Sequence, residues 1–326
     1  MNLRTKYMGL DLANPVIVSS SKLTSNIDSL RKCEAAGAGA VVLKSLFEEQ
    51  IMADIHDLIM DDSMYFYFPE ARDHIASISK SHGVNEYIRL INQASDELSI
   101  PVIASINCVS AREWTTFAAR IQESGASGIE LNISLNPFDP VPESKEIEDR
   151  YVDILREVKK HVSIPVAVKL APSFTNLGRL VARLEEAGAD AVVLFNRFLR
   201  PDIDIDRMEI TDARYLSAPE EMMESLRWIG ILSGQVNTEL AASTGVHSHR
   251  DVIKQLLAGA HAVQVCTVLY KEGIAKLGDL VRGLEDWMLE KEYSSIDDFR
   301  GLLSQDKLKG ASYERMQFIR RTTAEF

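Results

Sequence analysis

Five polar side chains recur at one kind of position in this sequence, at or just past the end of a short apolar run. Lys44 follows Ala40-Val-Val-Leu, Lys169 follows Val166-Ala-Val, and Asn132 follows Gly128-Ile-Glu-Leu. Asn107 and Asn196 close the runs that begin at Val102 and Ala191. A lysine ending a buried run must have its ammonium paired or solvated, because an isolated buried charge is prohibitively costly. Two ammonium groups aimed at one cavity make an anion site, or a site that stabilises negative charge on a ring. The competing reading for either lysine is an ordinary ion pair with a neighbouring carboxylate such as Glu130.

Further along the chain, Ser243-Thr244-Gly245-Val246 and Cys266-Thr267 end two more apolar runs. Glycine lets backbone approach a ligand closely, the threonines add hydroxyls, and backbone N–H groups at such turns bind phosphate. Taken with the two lysines, these turns predict a nucleotide or sugar-phosphate pocket. Ser19-Ser20-Ser21 closes the first run in the same manner. His247 and His249 lack Asp, Glu or Cys partners at metal-ligand spacing, so helix capping is the preferred reading and no metal is expected.

These positions need a scaffold that gathers strand ends. A helix-to-strand junction repeats at Glu34–Lys44, Glu123–Asn132, Glu185–Asn196 and Leu257–Cys266, each with a glycine after the helix. Ser-Ile-Pro-Val starts a strand at Ser99 and again at Ser163. Adding Pro15–Ser19 and Glu239–Ser243 gives eight strands, the others starting near Ala40, Val102, Gly128, Val166, Ala191 and Ala262. They are short and apolar on both faces, as parallel strands covered by helices must be. Helices are expected over Ser110–Ser124, Glu146–Val162, Asn176–Ala187, Pro219–Ile231 and His249–Ala258. Eight such units predict an α/β fold closed as a (β/α)8 TIM barrel, with its site at the C-terminal strand ends. The reading is one domain over 1–303, with an insertion at about 45–85 carrying Tyr65-Phe-Tyr-Phe68, and a C-terminal extension over 304–326. The charged tail after Trp287 reads as a surface helix and extension.

Composition narrows the class. A hydrophobic fraction of 46% and a charged fraction of 26% are those of a globular protein. Net charge of −12 disfavours nucleic acid and anionic membrane surfaces. No run is long and apolar enough for a spanning helix, and the three scattered cysteines suit a reducing, cytoplasmic setting rather than a disulfide or iron–sulfur framework.

With these residues in place, the chain resembles the dihydroorotate dehydrogenase family, most closely its soluble class 1A branch. The resemblance rests on Asn14–Ser21, Ala40–Ser45, Glu130–Ser134, Pro165–Pro172, Gly259–Gly273 and the tail Tyr293–Phe299. It implies an FMN-dependent oxidoreductase that oxidises dihydroorotate to orotate in pyrimidine biosynthesis, as a homodimer with a soluble electron acceptor such as fumarate. It also implies roles by position. Lys44 and Lys169 contact the flavin, Lys169 at the edge where negative charge collects on reduction. Ser20, Ser21 and Asn107 contact the flavin, Thr244, Gly245, Cys266 and Thr267 its phosphate, and Asn132 and Asn196 both flavin and substrate.

The substrate loop departs from the family pattern. It reads Asn132-Ile-Ser-Leu-Asn-Pro137, with Leu135 where the family places a Cys or Ser base. Leucine cannot take a proton, which leaves Ser134, Tyr65, Tyr67 or water, and makes Lys44, Asn132 and Ser134 the expected catalytic set. Arg197 replaces a small polar residue beside Asn196, where it is either a substrate-carboxylate partner or half of an ion pair. The alternative function is an FMN-binding paralogue with a different dihydropyrimidine-like substrate or weakened catalysis.

Overall fold

The structure, a computed structural model, describes residues 1–52, 83–111, 113–135, 140–198, 201–212, 215–308 and 313. Eight parallel strands form its centre: β1 (Val16–Val18), β2 (Ala40–Val42), β3 (Val102–Cys108), β4 (Gly128–Ile133), β5 (Val166–Leu170), β6 (Ala191–Leu194), β7 (Glu239–Ser243) and β8 (Ala262–Val265). Each pairs with the next, and β8 pairs with β1, so the sheet closes on itself. This is the (β/α)8 barrel expected from the alternation of elements, with all eight strands at the expected places.

Strand periodicity sorts side chains into two cores. Val16, Val18, Val41, Ile129, Leu131 and Val168 point outward and pack against the helices. Ile17, Ala40, Val42, Ile103, Ala167, Val193 and Ala241 point inward and fill the barrel. The N-terminal hairpin of Thr5–Tyr7 and Leu10–Leu12 stoppers the barrel's floor, with Tyr7, Met8 and Leu12 fully or almost fully buried among the inner residues. The inner face therefore ends in apolar side chains below and polar ones above, and the polar ones include Asn107, Asn132 and Lys169, singled out from sequence.

Helices α1 (Ile27–Ala35), α2 (Val84–Glu97), α3 (Phe117–Glu123), α4 (Ser144–His161), α5 (Leu177–Glu186), α6 (Met222–Leu232) and α7 (His249–Ala258) follow β1 to β7 in turn. Their amphipathic faces bury residues such as Leu30, Ile91, Leu155 and Leu180 against the strands, each contributing about 1.5–3 kcal/mol. Two expected helices are divided. Ser110–Ser124 becomes a 3-10 turn (Glu113–Thr116) and α3, and Pro219–Ile231 becomes a 3-10 turn (Pro219–Glu221) and α6. Asn176 is a cap rather than a helical residue, its side chain accepting the Arg179 N–H. Past β8 come α8 (Thr267–Glu272) and α9 (Lys276–Glu290).

Trp287 lies inside α9, which runs to Glu290 and is followed by the 3-10 turn Ile296–Asp298, and the expected C-terminal extension beyond 308 lies, but for residue 313, outside the described residues. An antiparallel hairpin of Pro201–Asp204 and Glu209–Asp212 follows β6 and had no counterpart in the sequence reading. Of the insertion at 45–85, Leu46–Phe47 adds a short parallel pairing to β3 and Val84 opens α2. Tyr65–Phe68 lie outside the described residues. Among the described residues, no helix is long and apolar enough to cross a membrane.

Candidate active site

The strand ends open into a cavity of about 770 Å³. Both lysines line it, with Ser20, Ser21 and Asn196 and the turns at Thr244-Gly245 and Cys266-Thr267. Nine of the twelve residues expected at the site thus share one space. Asn107, Asn132 and Ser134 are not among its lining residues. Register explains where two of them are: Asn107 pairs with Asn132 and Asn132 with Lys169 across β3, β4 and β5, so these three stand level on the inner face. Asn132 carries a buried side-chain oxygen, Oδ1, with no hydrogen-bond partner. Such an acceptor costs free energy unless a donor meets it. Ser134 is partly buried, its N–H donating to Cys108 O at 3.1 Å. Leu135 packs against the outer core.

The two lysines differ in their surroundings. The Lys169 ammonium donates to Ser19 Oγ at 3.2 Å, Gln264 Oε1 at 2.9 Å and Glu130 Oε1 at 3.3 Å. Glu130 also accepts from Gln264 Nε2. Of the two readings left open for Lys169, the ion pair with Glu130 is therefore real, and Lys169 lines the cavity as well. Lys44 is partly buried, its N–H donates to Thr24 O at 3.3 Å, and its ammonium has no partner among the described residues.

A hydroxyl chain runs beside Lys44. Ser20 Oγ and Ser45 Oγ are 3.1 Å apart, and Ser45 Oγ and Ser105 Oγ 2.8 Å. Ser21 caps the 3-10 turn Lys22–Thr24, accepting the Leu23 N–H at 3.2 Å. Burial pushes the Cys266 thiol up, against the opposing effects of a Ser21 hydrogen bond and the Lys169 charge. It is therefore a protonated, weakly polar wall rather than a nucleophile.

The opposite corner is shaped by backbone. Gly245 has φ of +73°, and a Cβ there would lie 2.2 Å from the Met222 nitrogen at the start of α6. Thr244, also in the left-handed region at φ +76°, donates its hydroxyl to Phe195 O at 3.1 Å. That hydroxyl proton is committed, which corrects its expected use as a donor to a ligand. Thr267 Oγ1 accepts from Ser217 N at 3.2 Å and Ser217 Oγ at 2.9 Å, and so keeps its proton for another acceptor. Burial, and then the nearby Lys271 charge, hold the His247 imidazole below its usual range. Helix capping between His247 and His249 belongs to Ser248, which accepts the Asp251 N–H at the start of α7.

Arg197 lines the cavity but is held by a carboxylate, its Nε donating to Glu221 Oε2 at 2.8 Å and Nη2 to Oε1 at 3.3 Å. The ion-pair reading is the one the structure bears out. Sequence reasoning missed Gln264 and the partnership of Ser45 with Ser105. The available signal was an amide or hydroxyl at an inward position of an otherwise apolar strand.

Comparison with known proteins agrees with this geometry. A sequence profile of the family described as dihydroorotate dehydrogenase matches residues 2–288. The chain is 29% identical over 308 residues to the catalytic subunit of dihydroorotate dehydrogenase B (NAD(+)) of Thermoplasma volcanium, covering 92% of this chain and 98% of that protein. The protein of the same name from Methanothermobacter thermautotrophicus is 27% identical over 317 residues, with coverages of 92% and 98%. That of Shouchella clausii is 30% identical over 217 residues, or 63% of this chain and 69% of the relative. All three relatives carry the B (NAD(+)) name rather than the class 1A name.

Proposed function

The chain belongs to the dihydroorotate dehydrogenase family, a family of flavin-dependent oxidoreductases, and we propose that it binds FMN and oxidises dihydroorotate to orotate in pyrimidine biosynthesis. The observation that supports this most is the convergence of Lys44 and Lys169 on one cavity. Three features fit a flavin nucleotide. The unpartnered Asn132 Oδ1 needs a donor such as a ring N–H. Gly245 leaves bare backbone where a side chain would collide with α6. The Lys44 ammonium lacks a counter-charge among the described residues.

Bound FMN supplies the two-electron acceptor for a hydride leaving the substrate. The chain's own groups do the rest. Lys44 and Lys169 offset negative charge at the cavity. Asn132 and Asn196 orient a planar amide-bearing ring, and the turns at Thr244-Gly245 and Cys266-Thr267 receive the phosphate, with Thr267 offering its free proton. Ser20 and Ser21 complete the cofactor walls, and Asn107 stands level with Asn132 and Lys169 on the inner face. Because Leu135 cannot accept a proton and Ser134 does not line the cavity, the second substrate hydrogen leaves as a proton to water. Missing a positioned base costs about 10²–10⁴-fold in rate, so slow proton removal is expected. Arg197, already neutralised by Glu221, is left out of substrate binding.

The acceptor read from sequence is soluble and small, fumarate being the type, in a cytoplasmic homodimer that contacts neither nucleic acid nor membrane. A second reading, favoured by the names of the relatives, passes electrons to NAD(+). Flavin released from denatured protein identifies the cofactor, with one FMN per chain expected and none overturning the reading. Dihydroorotate turnover with fumarate or NAD(+) in parallel assays then separates the two acceptors.

A further inference from the structure

Inside the barrel, Lys169 is one corner of a closed polar network. Glu130 and Gln264 are each 1% exposed, and Lys169 and Ser19 each 5%. The ammonium's three protons all find acceptors in this network, at Ser19, Gln264 and Glu130. Ser19 Oγ in turn donates to Gln264 Oε1 at 3.0 Å. Glu130 has both oxygens satisfied, by Lys169 and by Gln264 Nε2, and does not line the cavity. It is separated from any ligand by the lysine it holds.

Charge is what distinguishes this arrangement from simple packing. At a point twice as far from a carboxylate as from an ammonium, the carboxylate cancels half of the ammonium's potential. Low local polarisability keeps that cancellation from being screened away. Lys44 has no such counter-charge among the described residues. The cavity therefore meets one full cation and one partly cancelled cation.

We propose that Glu130 is a positioning residue that sets the reduction potential of the bound flavin through Lys169. It fixes the ammonium beneath the cavity and cancels part of its charge, holding the potential below the value an uncompensated lysine would give. The inference rests on the proposed function, since it needs a flavin in this cavity.

The test is the two-electron midpoint potential of FMN-loaded protein, by equilibration with a reference dye, for the wild type and three variants. Glu130→Gln keeps the shape and removes the charge. Its reduction equilibrium should shift about tenfold toward reduced flavin, a rise of about 30 mV. Glu130→Asp keeps the charge and should shift that equilibrium less than about threefold. Gln264→Glu adds a second carboxylate beside Lys169 and should lower the potential.

An FMN-loaded Glu130→Gln with an unchanged or lower potential overturns the assignment, as does an Asp variant shifted as far as the Gln variant. Should Glu130→Gln fail to fold, an unchanged or raised potential in Gln264→Glu overturns it instead. Wild-type protein that takes up no flavin rejects the proposed function and this inference with it. Wild-type protein that binds flavin, with variants that do not shift, rejects the inference alone.

Discussion

The Lys169 ammonium lies 3.3 Å from the Glu130 carboxylate, with the two side chains 6% and 1% exposed, on adjacent strands of the barrel. Desolvating such a pair is offset only when good geometry and further hydrogen bonds satisfy both ions. Gln264 and Ser19 provide those bonds. Lys44, which lines the same cavity, has no equivalent among the described residues.

That contrast separates stability from catalysis. Lys169→Met strands a buried carboxylate and should cost about 3–5 kcal/mol of unfolding free energy. Lys44→Met removes no partner among the described residues and should change stability by less than about 0.5 kcal/mol. Both should lose about 10²-fold or more in turnover, from lost stabilisation of charge in the reaction. Urea denaturation of each variant, alongside steady-state rates, checks the pattern. Equal stability losses would contradict it.

At the phosphate corner, Gly245→Ala places a methyl group 2.2 Å from the Met222 nitrogen at a positive φ. The backbone must shift, with a loss of about 1–3 kcal/mol. FMN uptake should weaken at least tenfold, the factor carried by about 1.4 kcal/mol. Fluorescence titration of apoprotein with FMN measures it, and unchanged affinity would remove this turn from the phosphate site.

Leu135 stands where the resemblance read from sequence implies a Cys or Ser base. Leu135→Cys supplies a group able to accept a proton and should raise dihydroorotate oxidation by about tenfold or more, out of the 10²–10⁴ that a positioned base provides. The gain should grow as pH rises toward the thiol's pKa. A flat response would mean that proton removal uses another part of the site.

Acid should destabilise the fold through His261. Burial, with a smaller contribution from the Arg300 charge, pushes its imidazole down to about 4, and its Nδ1 accepts the Leu240 N–H, which requires the neutral ring. The unfolded chain, with an ordinary histidine pKa near 6.5, takes up the proton first as pH falls. Stability is therefore whole above about pH 6.5 and is lost between there and about pH 4, by roughly 3 kcal/mol in all. His261→Gln should flatten that part of the stability–pH curve measured by denaturant unfolding. An unaltered slope would assign the acid sensitivity elsewhere.

The barrel was legible because buried parallel strands are apolar on both faces, so Val166-Ala-Val and Ala191-Val-Val-Leu announce themselves between glycine- and proline-marked junctions. The rim was legible because lysine and asparagine are costly at such positions without a purpose. The inner network was not. Gln264 meets Glu130 across 134 residues of sequence, a pairing that only barrel closure creates. Arg197 could be read as a substrate group or a surface ion until Glu221, at the mouth of α6, appeared beside it. The hairpin after β6 escaped notice because Ile203, Met208 and Ile210 lie exposed, so its alternation serves no core.

The central claim is that Lys44 and Lys169 flank a flavin that dihydroorotate reduces. Anaerobic rapid mixing of the FMN-loaded protein with dihydroorotate tests it most directly. The visible absorbance of the flavin should bleach in a single-turnover phase that slows about 10²-fold or more in Lys44→Met. Flavin that stays oxidised in the wild type at saturating dihydroorotate would contradict the claim.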